Sequence, residues 1–184
     1  MNATTTFAHV DADFARQGFL HAVGASLRVL EPGHAELRMP FGPGVAQQHG
    51  FFHGAMIGAA GDVACGYAAL SVLPPGSSVL AVDYAVHFLE PANGDELIAR
   101  GRLLRAGKRL LTCQADILVV RDGAEHLVAV MTETVNGRRP TSEAGAVAPE
   151  HASDAAPEPR PDASSSEAAS LGADATVPHP GEST

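Results

Sequence analysis

The 184-residue chain has no tryptophan, and aromatic residues make up only 5% of it. It has two cysteines, Cys65 and Cys113, both in apolar segments and in no C-x-x-C pair. That argues against a disulfide framework and for two small core residues. No dense basic patch is present. Residues 1–137 hold 9 Lys and Arg against 13 Asp and Glu, and the formal net charge is -9. Nucleic acid is therefore not an expected partner. The sequence has no run of about 18 purely apolar residues, the minimum for a membrane span. The one long apolar stretch, 54–70, is interrupted by glycines and by Asp62. The N-terminus has no basic segment followed by an apolar core, so no secretory signal is expected, and the expected location is cytoplasmic. A serine nucleophile would want G-x-S-x-G, which is absent.

What remains is a chain with 45% hydrophobic residues, enough for one buried core with an appendage. The composition changes near residue 138. From Thr141 onward there is no Ile, Met, Phe, Tyr or Trp, and prolines recur at 149, 157, 159, 161, 178 and 180. Such a stretch cannot bury enough apolar area to offset its ordering entropy. The expectation is a folded domain over 1–137 and a disordered Ala/Pro/Ser/acidic tail over 138–184.

Within 1–137 the periodicity alternates between helix and strand. Val10, Phe14, Phe19, Leu20 and Val23 space as a short helix. Ala25–Leu30 and Ala35–Met39 read as strands joined by Glu31-Pro32-Gly33-His34. A Gly/Pro loop leads to a helix from about 54 to 72, stopped by Pro74-Pro75-Gly76. The period then becomes two. In 78–89 the even positions Leu80, Val82, Tyr84, Val86 and Phe88 are large and apolar, which predicts one core face and one mixed face. Turns at Glu90–Gly94, Ala106–Lys108 and Asp122-Gly123 divide the rest into strands 96–105, 109–120 and 127–135, a four-strand meander. An antiparallel sheet with one long helix full of small residues predicts an α+β hot-dog fold, a curved sheet wrapped around a central helix. A six-stranded sheet also leaves edges, so dimerisation is expected to cover one.

Asp62 is the only acid in the helix candidate. A helix without a polar face is a buried one, and a buried carboxylate is costly unless paired. Asp62 is thus either a structural acid with hidden partners or a catalytic one. His49 and His53 stand four apart, but Gly50 and the absence of a third ligand argue against a metal pair. Asp83 and His87 share a strand face, exposed or at an interface. Arg100, Arg102, Arg105, Lys108 and Arg109 cluster locally, either as a solvated edge and turn or as a contact for an anionic ligand such as a nucleotide phosphate. Phe51, Phe52, Met56 and Tyr67 either line a pocket or pack as core.

The segment Gln47-Gln48-His49-Gly50-Phe51-Phe52-His53-Gly54-Ala55, with Asp62 nine residues after His53, resembles the PaaI-type branch of hot-dog acyl-CoA thioesterases. Asp83–Ala92, Asn93-Gly94-Asp95 and the Gly101–Arg109 region are similar too, so the resemblance covers about 7–137. It implies hydrolysis of an acyl- or aryl-CoA to CoA and a free acid, with no metal or redox cofactor, by a homodimer or homotetramer. Asp62 takes the place of the family's catalytic acid. Gln47 takes that of the residue orienting the thioester or water, and Gly54 that of the backbone N–H that polarises the carbonyl. His53 shapes the helix start. Ala55 replaces the second motif glycine, and Ala81 stands where some relatives carry Ser or Thr. With Asp83, Lys108 and Arg109, these complete the expected substrate-binding set. The alternative is a non-catalytic hot-dog module that binds acyl-CoA as a sensor or carrier.

The chemistry is sound on its own terms. A helix N-terminal N–H stabilises charge developing on a carbonyl oxygen. A carboxylate activates water or attacks directly. Gly54 and Asp62 are separated by roughly 12 Å along a helix, too far for one carbonyl to meet both. A site shared between two subunits is the expectation.

Overall fold

The computed structural model describes residues 7–140. From residue 141 onward the expected tail lies outside the described residues. The elements are α1 (Ala8–Phe14), α2 (Gly18–Ala22), β1 (Ser26–Glu31), β2 (His34–Pro40), α3 (Gly54–Leu70), β3 (Ser78–Phe88), β4 (Glu96–Ala106), β5 (Leu110–Arg121) and β6 (Ala124–Arg138). All strands join one antiparallel sheet in the order β1-β2-β4-β5-β6-β3, and α3 touches every one of them. This is the hot-dog architecture that the element order predicts.

The core lies between α3 and the sheet. Alternate residues of β2, β4, β5 and β6 face it, among them Leu37, Met39, Leu97, Ile117 and Met131, all fully buried. The helix contributes small residues instead, including Ala60, Ala64 and Ala68. Its backbone therefore comes very close to the sheet. A Cβ on Gly101 of β4 would overlap the Ala64 carbonyl and the Cys65 amide of α3. On the opposite face of the sheet, Glu36 bonds Arg38 and Arg100, each at 2.8 Å, and Arg100 continues to Glu125 at 2.6 Å.

Three sequence expectations need correction. The segment Val10–Val23 is two short helices, not one. Gln17 leaves helical geometry at ψ 82, and the two helices feed different clusters, with Val10 beside Ala35 and Tyr67 and Leu20 in the main core.

The four-strand meander is also wrong at its first step, because β3 pairs with β6. The Glu90–Gly94 turn is a crossover. Leu89 N–H donates to Val128 O at 2.8 Å, and Asp95 N–H to Val120 O at 2.8 Å, so the chain passes the ends of β6 and β5 before entering β4. Gly94 allows that passage, since a Cβ there would strike Val120 O.

Finally, β3 is an edge strand and does not present one core face. Its register with β6 slips between Ala81 and Asp83. This bulge at Val82 reverses the parity of the side chains. Val79 and Ala81 pair with inward Gly137 and Val135, whereas Tyr84, Val86 and Phe88 pair with Glu133, Met131 and Ala129. Leu80 consequently turns away from the helix and is 71% exposed.

The contact at Gly101 has no side chain that can move aside. Gly101→Ala should lower unfolding stability by about 1–3 kcal/mol. Gly42→Ala, whose Cβ would meet no atom within 4 Å, should stay within about 0.5 kcal/mol of the parent. Urea midpoints of the two variants measure the difference.

Candidate active site

His53 caps α3. It has extended backbone geometry (φ -65, ψ 139), and its Nδ1 accepts from the Ala55 N–H at 3.0 Å. That satisfies one of the free donors at the helix start. The Gly54 N–H, one residue earlier, has no acceptor among the described residues. It points out of the positive end of the helix dipole. Gln47 sits in the loop before, where its Oε1 accepts from the His49 N–H. The loop closes through Gly50 N–H to Gln47 O at 3.0 Å, with Gly50 at φ 80, a conformation suited to glycine.

Four residues apart along α3 stand Gly54, Gly58, Asp62 and Gly66, on one helical ridge. The ridge faces β3. A Cβ at Gly54 would touch the Phe88 ring, one at Gly58 the Tyr84 hydroxyl, and one at Gly66 a Val79 methyl. Asp62 is the only residue of this ridge with a functional side chain, and it is half-buried.

Within one chain the expected catalytic residues fall into two clefts. Asp62 lines a cavity of about 270 Å³ with Ala81, Tyr67, Asp13, Gln17 and Glu133. Gln47 and Gly54 line another of about 470 Å³ with Phe51, Phe88 and Pro91. At the floor of the first, Tyr67 donates to Asp13 Oδ2 at 3.1 Å and accepts from Gln17 Nε2 at 3.3 Å. Burial, followed by the nearby Asp13, pushes the Tyr67 hydroxyl up to about 12. Tyr67 and Phe52 are buried, and Phe51 and Met56 are partly so; Phe51 and Phe52 border the Gln47 cleft.

The residue that the sequence reading missed is Glu133. It lies on β6 between inward-facing Met131 and Val135, only 2% exposed. Among the described residues neither of its oxygens has a hydrogen-bond partner. Burial pushes its carboxyl up to about 9, and Asp62 beside it adds to the shift. Burial likewise raises the Cys65 thiol, with Glu133 contributing, and takes Cys113 to about 12. The signal was available, because alternation through Ala129, Met131 and Val135 places Glu133 on the core face.

The other expected residues are placed as follows. Ala81 lines the Asp62 cleft. Ala55 is exposed, one residue into α3. Asp83 pairs with Thr134 beyond the bulge and is exposed, like His87. The basic cluster divides. Arg100 is held by Glu36 and Glu125, and Arg102 donates to Gln114 at 2.8 Å. Lys108 and Arg109 instead line a surface cavity of about 480 Å³ with Asn136, Arg138 and Arg139. Arg139 joined this group without having been singled out, and it donates to Lys108 O at 2.8 Å. Among the described residues no three His, Cys, Asp or Glu side chains gather as a metal site, and no helix is long and apolar enough to cross a membrane.

Glu133 also makes stability depend on pH. In the unfolded chain its carboxyl loses its proton near 4.5, and in the folded chain only near 9. Between those values the folded state holds the extra proton, so stability falls as pH rises. Glu133→Gln has no proton to lose. Its Tm relative to the parent should therefore climb steadily from pH 5 to pH 9. A difference that stays constant across that range would contradict the assignment.

Comparison with known proteins agrees with this fold. The profile of the Thioesterase superfamily matches residues 49–125, which carry α3, β3, β4 and β5. Among curated proteins nothing matches the sequence. Solved structures do. A thioesterase family protein from Silicibacter pomeroyi is 37% identical, with 72% of this chain and 97% of that one covered and a TM-score of 0.69. A thioesterase from Haemophilus influenzae shares the fold at 20% identity and TM-score 0.64, covering 74% of this chain and 93% of its own. The PaaI protein from the phenylacetic acid degradation operon of E. coli does so at 22% and 0.62, covering 71% and 91%. With the first of these aligned over nearly its whole length at more than a third identity, the chain belongs to the thioesterase superfamily of hot-dog proteins.

Proposed function

We propose that this protein is an acyl-CoA thioesterase of the PaaI type, soluble and cytoplasmic, that hydrolyses an acyl- or aryl-CoA to CoA and a free carboxylic acid. One observation carries the reading. The single functional side chain on the glycine ridge of α3 is a carboxylate that opens into a cleft, and the same ridge begins at a helix N-terminal N–H that has no acceptor among the described residues. These are the two elements that acyl transfer to water needs. Gly54 N–H stabilises the oxyanion. Asp62 supplies the carboxylate that deprotonates water or attacks the carbonyl. Gln47, with its Oε1 committed to the loop, has its amide N–H groups left for the thioester or the water. The negative charge moves from the carbonyl oxygen to the departing CoA thiolate as the tetrahedral intermediate collapses. No metal or redox cofactor enters this scheme.

The functional unit is a homodimer or a multiple of it, built from the folded domain, whose last strand runs to Arg138. The exposed edge of β3 supports this. Leu80, Val82, Tyr84 and Phe88 are each more than half exposed, on a strand that has no neighbour on its outer side among the described residues. Such an edge needs cover. A two-fold related copy laid against it brings the Gly54 end of one helix towards the Asp62 region of the other. Each site then takes Gln47 and Gly54 from one protomer and Asp62 from its partner. Lys108 and Arg109, with Arg138 and Arg139, form a positive corner suited to the phosphates of CoA. His53, Ala55, Ala81 and Asp83 complete the substrate contacts. The acyl group is to be found with a thiol-release assay over a panel of acyl-CoAs.

Asp62→Asn keeps the side-chain shape and removes the reactive carboxylate. It should lower kcat by about 10²–10⁴-fold in a folded protein. Turnover within a few-fold of the parent would overturn the catalytic assignment of Asp62, whereas no thiol release by the parent across the panel would make acyl-CoA binding without catalysis the better reading. The shared site has its own test. Asp62→Asn and Gln47→Ala chains, co-refolded, should recover about a quarter of the parent's activity, since half of randomly paired dimers are mixed and each has one intact site. Activity equal only to the sum of the separate variants, with exchange demonstrated, would place the site within one chain.

A further inference from the structure

Glu133 is an expensive residue to keep. Its neighbours along the inward face of β6 are Met131 and Val135, both buried, so a leucine would satisfy the pattern. Instead a carboxyl group is enclosed, and among the described residues no N–H or O–H donor reaches either oxygen, which leaves the adjacent Asp62 carboxyl and Cys65 thiol as its polar neighbours. A buried polar group left without such a donor costs stability. Among the described residues no basic side chain compensates. The ionisable groups that act on it are Asp62 and Cys65 from α3 and Asp83 from β3, with Cys113 from β5 also sensing its charge. Tyr84 of β3 pairs with it in the ladder. It lines the same cavity as Asp62.

Two neighbouring carboxyls in an enclosed space do not both ionise. The more exposed one carries the charge and the buried one keeps the proton. Asp62 is half-buried and Glu133 is enclosed, so the charge belongs on Asp62. We infer that Glu133 is the positioning residue for Asp62: its carboxyl proton bridges the two acids, fixing the Asp62 carboxylate in the cleft as the charged partner. This rests on Asp62 being the reactive carboxylate. Glu133 touches no substrate and changes no bond. It donates one hydrogen bond and retains its proton throughout turnover.

The arrangement makes activity sensitive to alkali. Once Glu133 ionises, near 9, the bridging proton is lost and the two charges repel. The thiols of Cys65 and Cys113 are held well above that range by burial, so they do not produce the same limb.

The experiment uses the full chain and measures CoA thiol release from pH 6 to 10.5, after subtraction of spontaneous hydrolysis. Three variants are compared with the parent. Glu133→Leu removes the donor and fills the space. It should lose about 10- to 100-fold in kcat with KM within about threefold, while its Tm equals or exceeds the parent's, a combination that a purely structural residue would not give. Glu133→Gln keeps a non-ionising donor. It should restore most of the lost kcat and should not show the fall above about pH 9 that the parent shows. Asp62→Asn separates the two levels of the argument. If it stays active, the reading of Asp62 fails and takes this inference with it. If it is inactive while Glu133→Leu turns over within threefold of the parent, only the inference fails. Should Glu133→Leu not fold, the Glu133→Gln profile decides, and an alkaline fall unchanged from the parent overturns the role of Glu133.

Discussion

The Ala64 carbonyl of α3 lies directly on the backbone of β4 at Gly101, with no side chain between them. A helix normally stands about 10 Å from a sheet because both carry side chains. Here the alanines and glycines of α3, and the glycine beneath them, bring the two backbones together. Much else follows from that contact. It leaves no room for a polar face on α3, so the helix is apolar and small on most sides. It draws β4, β5 and β2 tightly around the helix and leaves one flank, the Gly54–Gly66 ridge, facing the edge strand β3 and, at Asp62, Glu133 of β6. A charged side chain on α3 has to use that flank, and Asp62 does.

The same closeness accounts for what the sequence made legible. Strands β1, β2, β4, β5 and β6 and the helix α3 are visible from periodicity because their burial is decided within the chain. Alternation survives wherever one face is core. The position of β3 was not visible, since strand order depends on which partner a strand finds, and nothing in residues 78–88 distinguishes pairing with β4 from pairing with β6. The bulge at Val82 was hidden for a related reason. An apolar residue at every even position looks like one uninterrupted face, whereas the register with β6 shifts by one residue midway. Glu133 is legible as a core-facing position from alternation with Ala129, Met131 and Val135, but its nearness to Asp62 depends on how β6 packs against α3, which periodicity does not show. The motif residues were easier. The family resemblance implies His53 at the helix start and Gly54 as a helix N-terminal N–H; the structure has Gly54 as the first helical residue and His53 as its cap.

The electrostatic character of the two faces of the sheet differs sharply. On the outer face Glu36 is buried too, which by itself would raise its carboxyl, but hydrogen bonds from Arg100 and Arg38 outweigh that and hold it below the usual range. On the inner face Glu133 has no such cation and is raised. Two glutamates of one sheet thus sit on opposite sides of their ordinary behaviour. Glu36 behaves as a fixed charge that links strands. Glu133 behaves as a neutral acid whose energy is spent in a cavity, the pattern of a residue maintained at a cost to stability.

The bulge at Val82 has a geometric consequence for that cavity. Without it, unbroken alternation from Tyr84 back along β3 would turn Val82 and Leu80 towards α3 in place of Ala81 and Val79. The wall beside Asp62 would then be built from bulkier side chains, and the room there would shrink with no change in amino-acid composition. The free space next to the acid is in this sense a property of strand phase. A scan that exchanges one side chain at a time would miss it, but inserting a single residue between Asp83 and Tyr84 would change which side chains face Asp62.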